Sequence, residues 1–77
     1  MKKKIIDILS EIRPEFDFAK SVDFIGEGML DSFDVVRLVT ELDKEFKISI
    51  DGMDIIAKNF SSVEKIIALL NKHGVKS

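Results

Sequence analysis

Between residues 32 and 46, apolar side chains recur at a spacing that only a helix puts on one side. At about 100° per residue, Val35, Leu38, Val39, Leu42 and Phe46 form a single stripe. In a chain of 77 residues the stripe must be covered by whatever else the chain can fold, and the remaining periodic segments are also helical. Phe33 projects almost opposite the stripe and Val36 lies between. The start of this helix therefore carries a second apolar surface that one core cannot cover, and another molecule is expected to touch it.

The start itself is well marked. Asp31 suits the N-cap, Leu30 and Val35 are placed for a hydrophobic staple, and Asp34 lies where the helix dipole favours negative charge. Ser32 falls at the first helical position, its hydroxyl outward and beside backbone N–H groups that have no intrahelical acceptor. An anion attached there would be stabilised by those donors. Capping chemistry alone does not make Ser32 functional, because serine is common at helix starts for structural reasons.

Ile5, Ile8, Leu9 and Ile12 predict a first amphipathic helix over residues 3–13, ended by Pro14, with Arg13 suited to the negative end of its dipole. Residues 15–30 show no period, yet Phe16, Phe18, Val22, Phe24, Ile25 and Leu30 are too apolar for a disordered linker, so a long pinned loop is expected. Gly26 and Gly28 let that loop turn sharply into Asp31. Lys47-Ile48-Ser49-Ile50 is expected as extended loop with Ile48 or Ile50 tucked in, and Asp51-Gly52 as a turn. A short third helix is expected over 54–58, with Ile55 and Ile56 facing inward. Ser61-Ser62-Val63-Glu64 has the form of a capping box opening a last helix over 61–72, whose stripe is Val63, Ile66, Ile67 and Leu70, widened by Leu69. Gly74 should stop it and residues 75–77 should fray. The expected fold is all-α: a small four-helix bundle with a long first loop and a short third helix, one domain over 1–77.

Few kinds of chemistry fit. Without cysteine there is no disulfide framework and no Cys-rich zinc site. A net charge of −2 and a pI near 5.3 provide no whole-domain attraction to nucleic acid or an anionic membrane. Lys2-Lys3-Lys4 imitates the opening of a signal peptide, but Asp7 and Glu11 interrupt the apolar run, and nothing reaches the length of a membrane span. If Gly52 were the sixth residue of a calcium loop, Lys47 and Lys58 would stand where acidic ligands are required, so calcium is rejected there. Gly26-x-Gly28 lacks the lysine and spacing of a phosphate loop. His73, the sole histidine, falls in the last turn of the last helix with no acid–base partner implied, and Ser32 has neither a nearby base nor a nucleophile elbow. Asp34, Glu41, Asp43 and Glu45 are accounted for as solvated helix faces, and Phe16, Phe18, Phe24 and Phe60 as core. No catalytic residue and no metal ligand is expected.

Gly28-Met29-Leu30-Asp31-Ser32-Phe33-Asp34, followed by Val36, Leu38-Val39, Leu42 and Phe46, resembles the attachment site and second helix of acyl carrier proteins. The likeness spans nearly the whole chain, since a leading helix, a long loop and a Ser-Ser-Val helix start follow in the family's order. The resemblance implies an acyl-carrier-like bundle with 4′-phosphopantetheine, derived from coenzyme A, attached covalently to Ser32 by a phosphopantetheinyl transferase using a divalent metal. It implies a carrier and not an enzyme, holding acyl or aminoacyl groups as thioesters. Its partners would be an acyl- or aminoacyl-activating ligase and a downstream transferase or synthase, docking on Asp31, Phe33, Val36, Arg37 and Thr40. A cytoplasmic monomer is expected, with no nucleic acid partner and no membrane insertion. Phe33 replaces the family's usual leucine, Arg37 stands where fatty-acid synthesis carriers have an acid, and Lys44 breaks their acidic run. Those departures argue against a primary fatty-acid carrier, and the Leu30-Asp31-Ser32 junction and the Asn59-Phe60-Ser61-Ser62-Val63 entry more closely resemble free-standing D-alanyl-type and other specialised carriers of lipid or secondary-metabolite biosynthesis. The alternative is a small helical interaction module in which Ser32 is only a helix-start residue.

Overall fold

A computed structural model describes residues 2–20 and 23–75 of the chain. Three α-helices form: α1 (Lys2–Ile12), α2 (Ser32–Phe46) and α3 (Val63–Lys72), with two 3₁₀ turns, Gly52–Asp54 and Ala57–Phe60, between α2 and α3. There is no strand among the described residues. The apolar stripes meet in one core, where Ile5 and Leu9 of α1, Leu38 and Leu42 of α2, Ile66 and Leu70 of α3 and Phe60 of the second 3₁₀ turn are fully buried. Phe46 and Ile67 lie only half-buried at its rim.

Two ion pairs fix how α1 lies on α2. Lys4 near the start of α1 reaches Glu45 at the end of α2, and Arg13 just beyond α1 reaches Asp34 in the first turn of α2. Ties at opposite ends make the two helices antiparallel. The long loop between them is held as its composition requires, with Phe18, Phe24, Met29 and Leu30 buried and the Phe18 and Phe24 rings edge to face at 5.0 Å. The Phe24 N–H donates to the Ser61 carbonyl at 2.6 Å, so the loop is tied to the approach to α3, and the Phe24 carbonyl accepts the Met29 N–H at 2.8 Å. Gly28 turns the chain toward α2 with φ +74°, a conformation side chains disfavour. Phe16 departs from expectation: it sits at the surface, edge to face against Phe18, and is not core. Val22 lies outside the described residues.

No α-helix forms over 54–58, so the described residues hold three α-helices in place of the expected four. Asp51 caps the first 3₁₀ turn by accepting the Met53 N–H, and the Asp54 carbonyl that would continue a helix is taken by the Asn59 side chain at 2.9 Å. Ile55 then breaks the run at φ −83°, ψ 73°. Only Ile55 packs toward the core, while Ile56 is 48% exposed. The last helix begins at Val63 and not at Ser61. Its cap is Ser62, whose hydroxyl accepts the Lys65 N–H at 3.2 Å, which leaves Glu64 out of capping register, and the Ser61 hydroxyl donates to the Lys58 carbonyl instead. At its other end Gly74 takes φ +89°, with Gly74 N–H to Asn71 and Val75 N–H to Leu70 closing a Schellman motif. Val75 therefore packs against the core and does not fray; residues 76–77 lie outside the described residues.

Lys47 ends α2 in the left-handed region at φ 54°, ψ 49°, donating its N–H to the Asp43 carbonyl. A side chain there is strained, which glycine relieves at a smaller entropic cost. Lys47→Gly is expected to stabilise the fold by about 1 kcal/mol, raising the melting temperature by about 4–8 °C. Thermal unfolding followed by circular dichroism checks this; a lower midpoint would contradict the strain.

Candidate functional site

The first turn of α2 is built by a reciprocal pair of hydrogen bonds. The Asp31 carboxylate accepts the Asp34 N–H at 2.8 Å, and the Asp34 carboxylate accepts the Asp31 N–H at 3.3 Å, a complete capping box. Between these partners lie only Ser32 and Phe33. Sequence reasoning identified the Asp31 cap but took Asp34 as a solvated residue; Asp34 is instead 6% exposed. The Asp-x-x-Asp spacing was the available signal for the second bond. The partner of Asp34 across the fold carried no signal, since Arg13 lies 21 residues earlier. Its Nε–H donates to Asp34 at 2.8 Å, and its Nη2 approaches Asp31 at 3.6 Å.

These contacts shift the charges. The Asp31 carboxyl is held below its ordinary value, chiefly by the Asp34 N–H it accepts; partial desolvation opposes this, and the Arg13 charge reinforces it. The Arg13 guanidinium holds its proton more tightly than usual, first through its hydrogen bond to Asp34. Because Asp31 is more acidic folded than unfolded, its contribution is fully present above the unfolded value of about 3.9 and is lost as pH falls through the lower folded one. Asparagine caps as well as aspartate but does not titrate. The melting temperatures of wild type and Asp31→Asn, followed from pH 7 to pH 2, should therefore differ most near neutrality and converge below about pH 4. A constant gap would rule out the charge as its source.

Ser32 is exposed and lines an open, largely apolar cleft of about 320 Å³ with Asp31, Val35 and Val36 of α2 and its cap, Ile25 of the first loop, and Ile55 and Ala57 of the segment before α3. Of the residues expected to form the site, Asp31, Ser32 and Val36 meet at this cleft. Phe33, Arg37 and Thr40 lie on the exposed side of α2 outside it; Phe33 is 79% exposed, and the Thr40 hydroxyl donates back to the Val36 carbonyl. Ile25 and Ala57 were missed, because both reach the cleft by tertiary packing of irregular segments. Ile55 was assigned to a helix that does not form.

His73 is placed structurally. Its Nε2 accepts the Asp51 N–H at 3.3 Å, and its Nδ1 lies 3.1 Å from the Leu69 carbonyl. Asp54, paired with Lys72, is 3.8 Å from Nε2. Among the described residues no group of three or more acidic, histidine or cysteine side chains could hold a metal ion, and no helix is long and apolar enough to cross a membrane.

The site thus offers an exposed primary hydroxyl in the first turn of a helix, where the dipole favours an anion, at the lip of an apolar cleft. The Phosphopantetheine attachment site family matches residues 3–70, and the chain belongs to this family of carrier proteins. Its prosthetic group is a covalently attached 4′-phosphopantetheine. Among curated proteins it is similar to the D-alanyl carrier protein of Lactococcus lactis subsp. cremoris strain MG1363, with 31% identity covering 88% of this chain and 89% of the relative. The D-alanyl carrier proteins of Lactococcus lactis subsp. lactis strain IL1403 (30% identity, 88% and 89% covered) and of Staphylococcus saprophyticus (28% identity, 92% and 94% covered) are similar too. No solved structure gives a significant match.

Proposed function

We propose that Ser32 is the attachment point of the arm and that the chain carries acyl or aminoacyl groups to partner biosynthetic enzymes. The observation that carries this reading is the exposed Ser32 hydroxyl, held between the two capping-box aspartates at the lip of the apolar cleft. In the loading step the Ser32 Oγ attacks the phosphorus of coenzyme A that bears the pantetheine. One O–P bond forms, the bond to 3′,5′-ADP breaks with its electron pair leaving on the nucleotide, and the hydroxyl proton passes to a base of the phosphopantetheinyl transferase. Bound, the arm supplies a terminal thiol that holds cargo as a thioester. Asp31 keeps the helix start formed around the acceptor, and Ile25, Val36, Ile55 and Ala57 offer apolar contact to whatever extends from it.

The chain acts as a carried substrate and not as a catalyst. Tethered cargo reaches each partner at a high effective concentration, the advantage of a carrier over free diffusion. Asp31, Phe33, Val36, Arg37 and Thr40 form the docking face, with Phe33 and Val36 as its apolar centre and Arg37 selecting partners at the rim through charge. The names of the similar carriers support an aminoacyl cargo, D-alanine first among candidates. A cytoplasmic monomer served by an activating ligase and a downstream transferase completes the reading. Intact mass after incubation with a promiscuous phosphopantetheinyl transferase and coenzyme A should rise by one arm, and fragmentation should place it on Ser32. A chain that gains no arm with any transferase overturns the proposal and leaves an interaction module.

A further inference from the structure

Arg13 does more than close α1. Pro14 keeps it out of continued helix, while its own N–H still donates to the Leu9 carbonyl at 2.9 Å, so the guanidinium is carried on the rigid end of α1. From there it crosses to the start of α2, where one oxygen of Asp34 accepts both the Arg13 Nε–H and the Asp31 N–H. The Asp34 side chain is 9% exposed. A carboxylate so placed is tolerated because it is paired; without its cation it would turn toward water. Turning out would break the Asp31 N–H bond made by the same oxygen and loosen its reciprocal partner, and Ser32 lies between the two.

We propose that Arg13 is a positioning residue for transfer of the arm onto Ser32: by holding Asp34 inward, it keeps the Asp31–Asp34 turn in the one form that presents the Ser32 hydroxyl. The inference rests on the reading of Ser32 as the attachment point. A transferase that binds only the formed turn sees an affinity reduced in proportion to the fraction of chains that have it. Loss of Arg13 then raises the apparent KM for the carrier and leaves kcat unchanged, because saturating conditions draw every chain into the bound form. Asparagine at position 34 can still accept the Asp31 N–H and needs no cation, so it should make Arg13 dispensable.

The test measures KM and kcat for the 77-residue apo chain with a phosphopantetheinyl transferase and coenzyme A, together with amide hydrogen exchange at residue 34, well below the melting temperature. Arg13→Gln should raise KM about tenfold, the size expected for losing a charge-assisted bond, with kcat within about twofold and faster exchange at residue 34. Arg13→Lys should recover part of the loss. Arg13→Gln combined with Asp34→Asn should return KM to within about twofold of wild type. Should Arg13→Gln alone lose its fold, the lysine and double variants decide. An unchanged KM in Arg13→Gln, or a double variant as poor as the single one, overturns the proposal, the second outcome making Arg13 a direct transferase contact. A wild type that takes no arm defeats the reading of Ser32 and the transfer role with it, whereas a loaded wild type with indifferent Arg13 variants defeats the positioning role alone.

Discussion

Ser32→Ala should abolish loading with phosphopantetheine completely while barely changing stability. The expectation is asymmetric because the two properties rest on different atoms. The alanine variant lacks the only oxygen at this position that can form the phosphodiester, whereas the helix start is held by Asp31, Asp34 and Arg13, none of which uses the Ser32 hydroxyl. A surface substitution away from caps and core moves stability by no more than about 0.5 kcal/mol. Intact mass after the loading reaction and a urea melt of the same preparation read both properties. An alanine variant that still gains an arm would move the attachment elsewhere. One that loses the arm and several kcal/mol together would show the hydroxyl to be structural.

Leu42→Ala should do the reverse. Leu42 is fully buried in the core shared by α1, α2, α3 and the second 3₁₀ turn, and truncating such a leucine costs about 2–5 kcal/mol through lost burial and the cavity left behind. Small domains have about 5–15 kcal/mol in total, and the shift in melting temperature for a domain of this size should be about ten degrees or more. Urea unfolding followed by circular dichroism measures it from the change in midpoint at constant slope. A midpoint within error of wild type would mean that the α2 stripe is not the core face.

The three α-helices were legible because each buries a stripe at its own period, and a stripe depends only on residues a few positions apart. The α2 start was legible for the same reason: Leu30, Asp31 and Val35 are local. What was not legible depends on partners distant in the chain or on competition for one carbonyl. Ile55 and Ile56 suit a short helix, yet the Asp54 carbonyl accepts the Asn59 side chain and the Ile56 N–H, and two 3₁₀ turns form instead. Ser61 and Ser62 are equivalent caps by composition, and packing of Val63 into the core selects the second. The same limit applied at the site. Local pattern placed Asp31 and Ser32 at the α2 start, and resemblance alone singled out the serine; Arg13 meets Asp34 only after the first loop has folded back, and the cleft needs Ile25 and Ile55 brought in from either side of α2.

The bond from the Phe24 amide to the Ser61 carbonyl has a consequence for how the chain reaches its fold. Helices nucleate within short stretches, but this bond joins the middle of the first loop to the residue before the α3 cap, with both other irregular segments and all of α2 between them. Closing so wide a loop sacrifices chain entropy before the contact returns anything. It should therefore form late, after α1 and α2 have docked, and Phe24→Leu, which keeps the backbone amide but loosens the buried packing that seats it, should accelerate unfolding far more than it slows refolding. The residence time of the native state would then be governed by the same loop whose Ile25 lines the cleft beside Ser32.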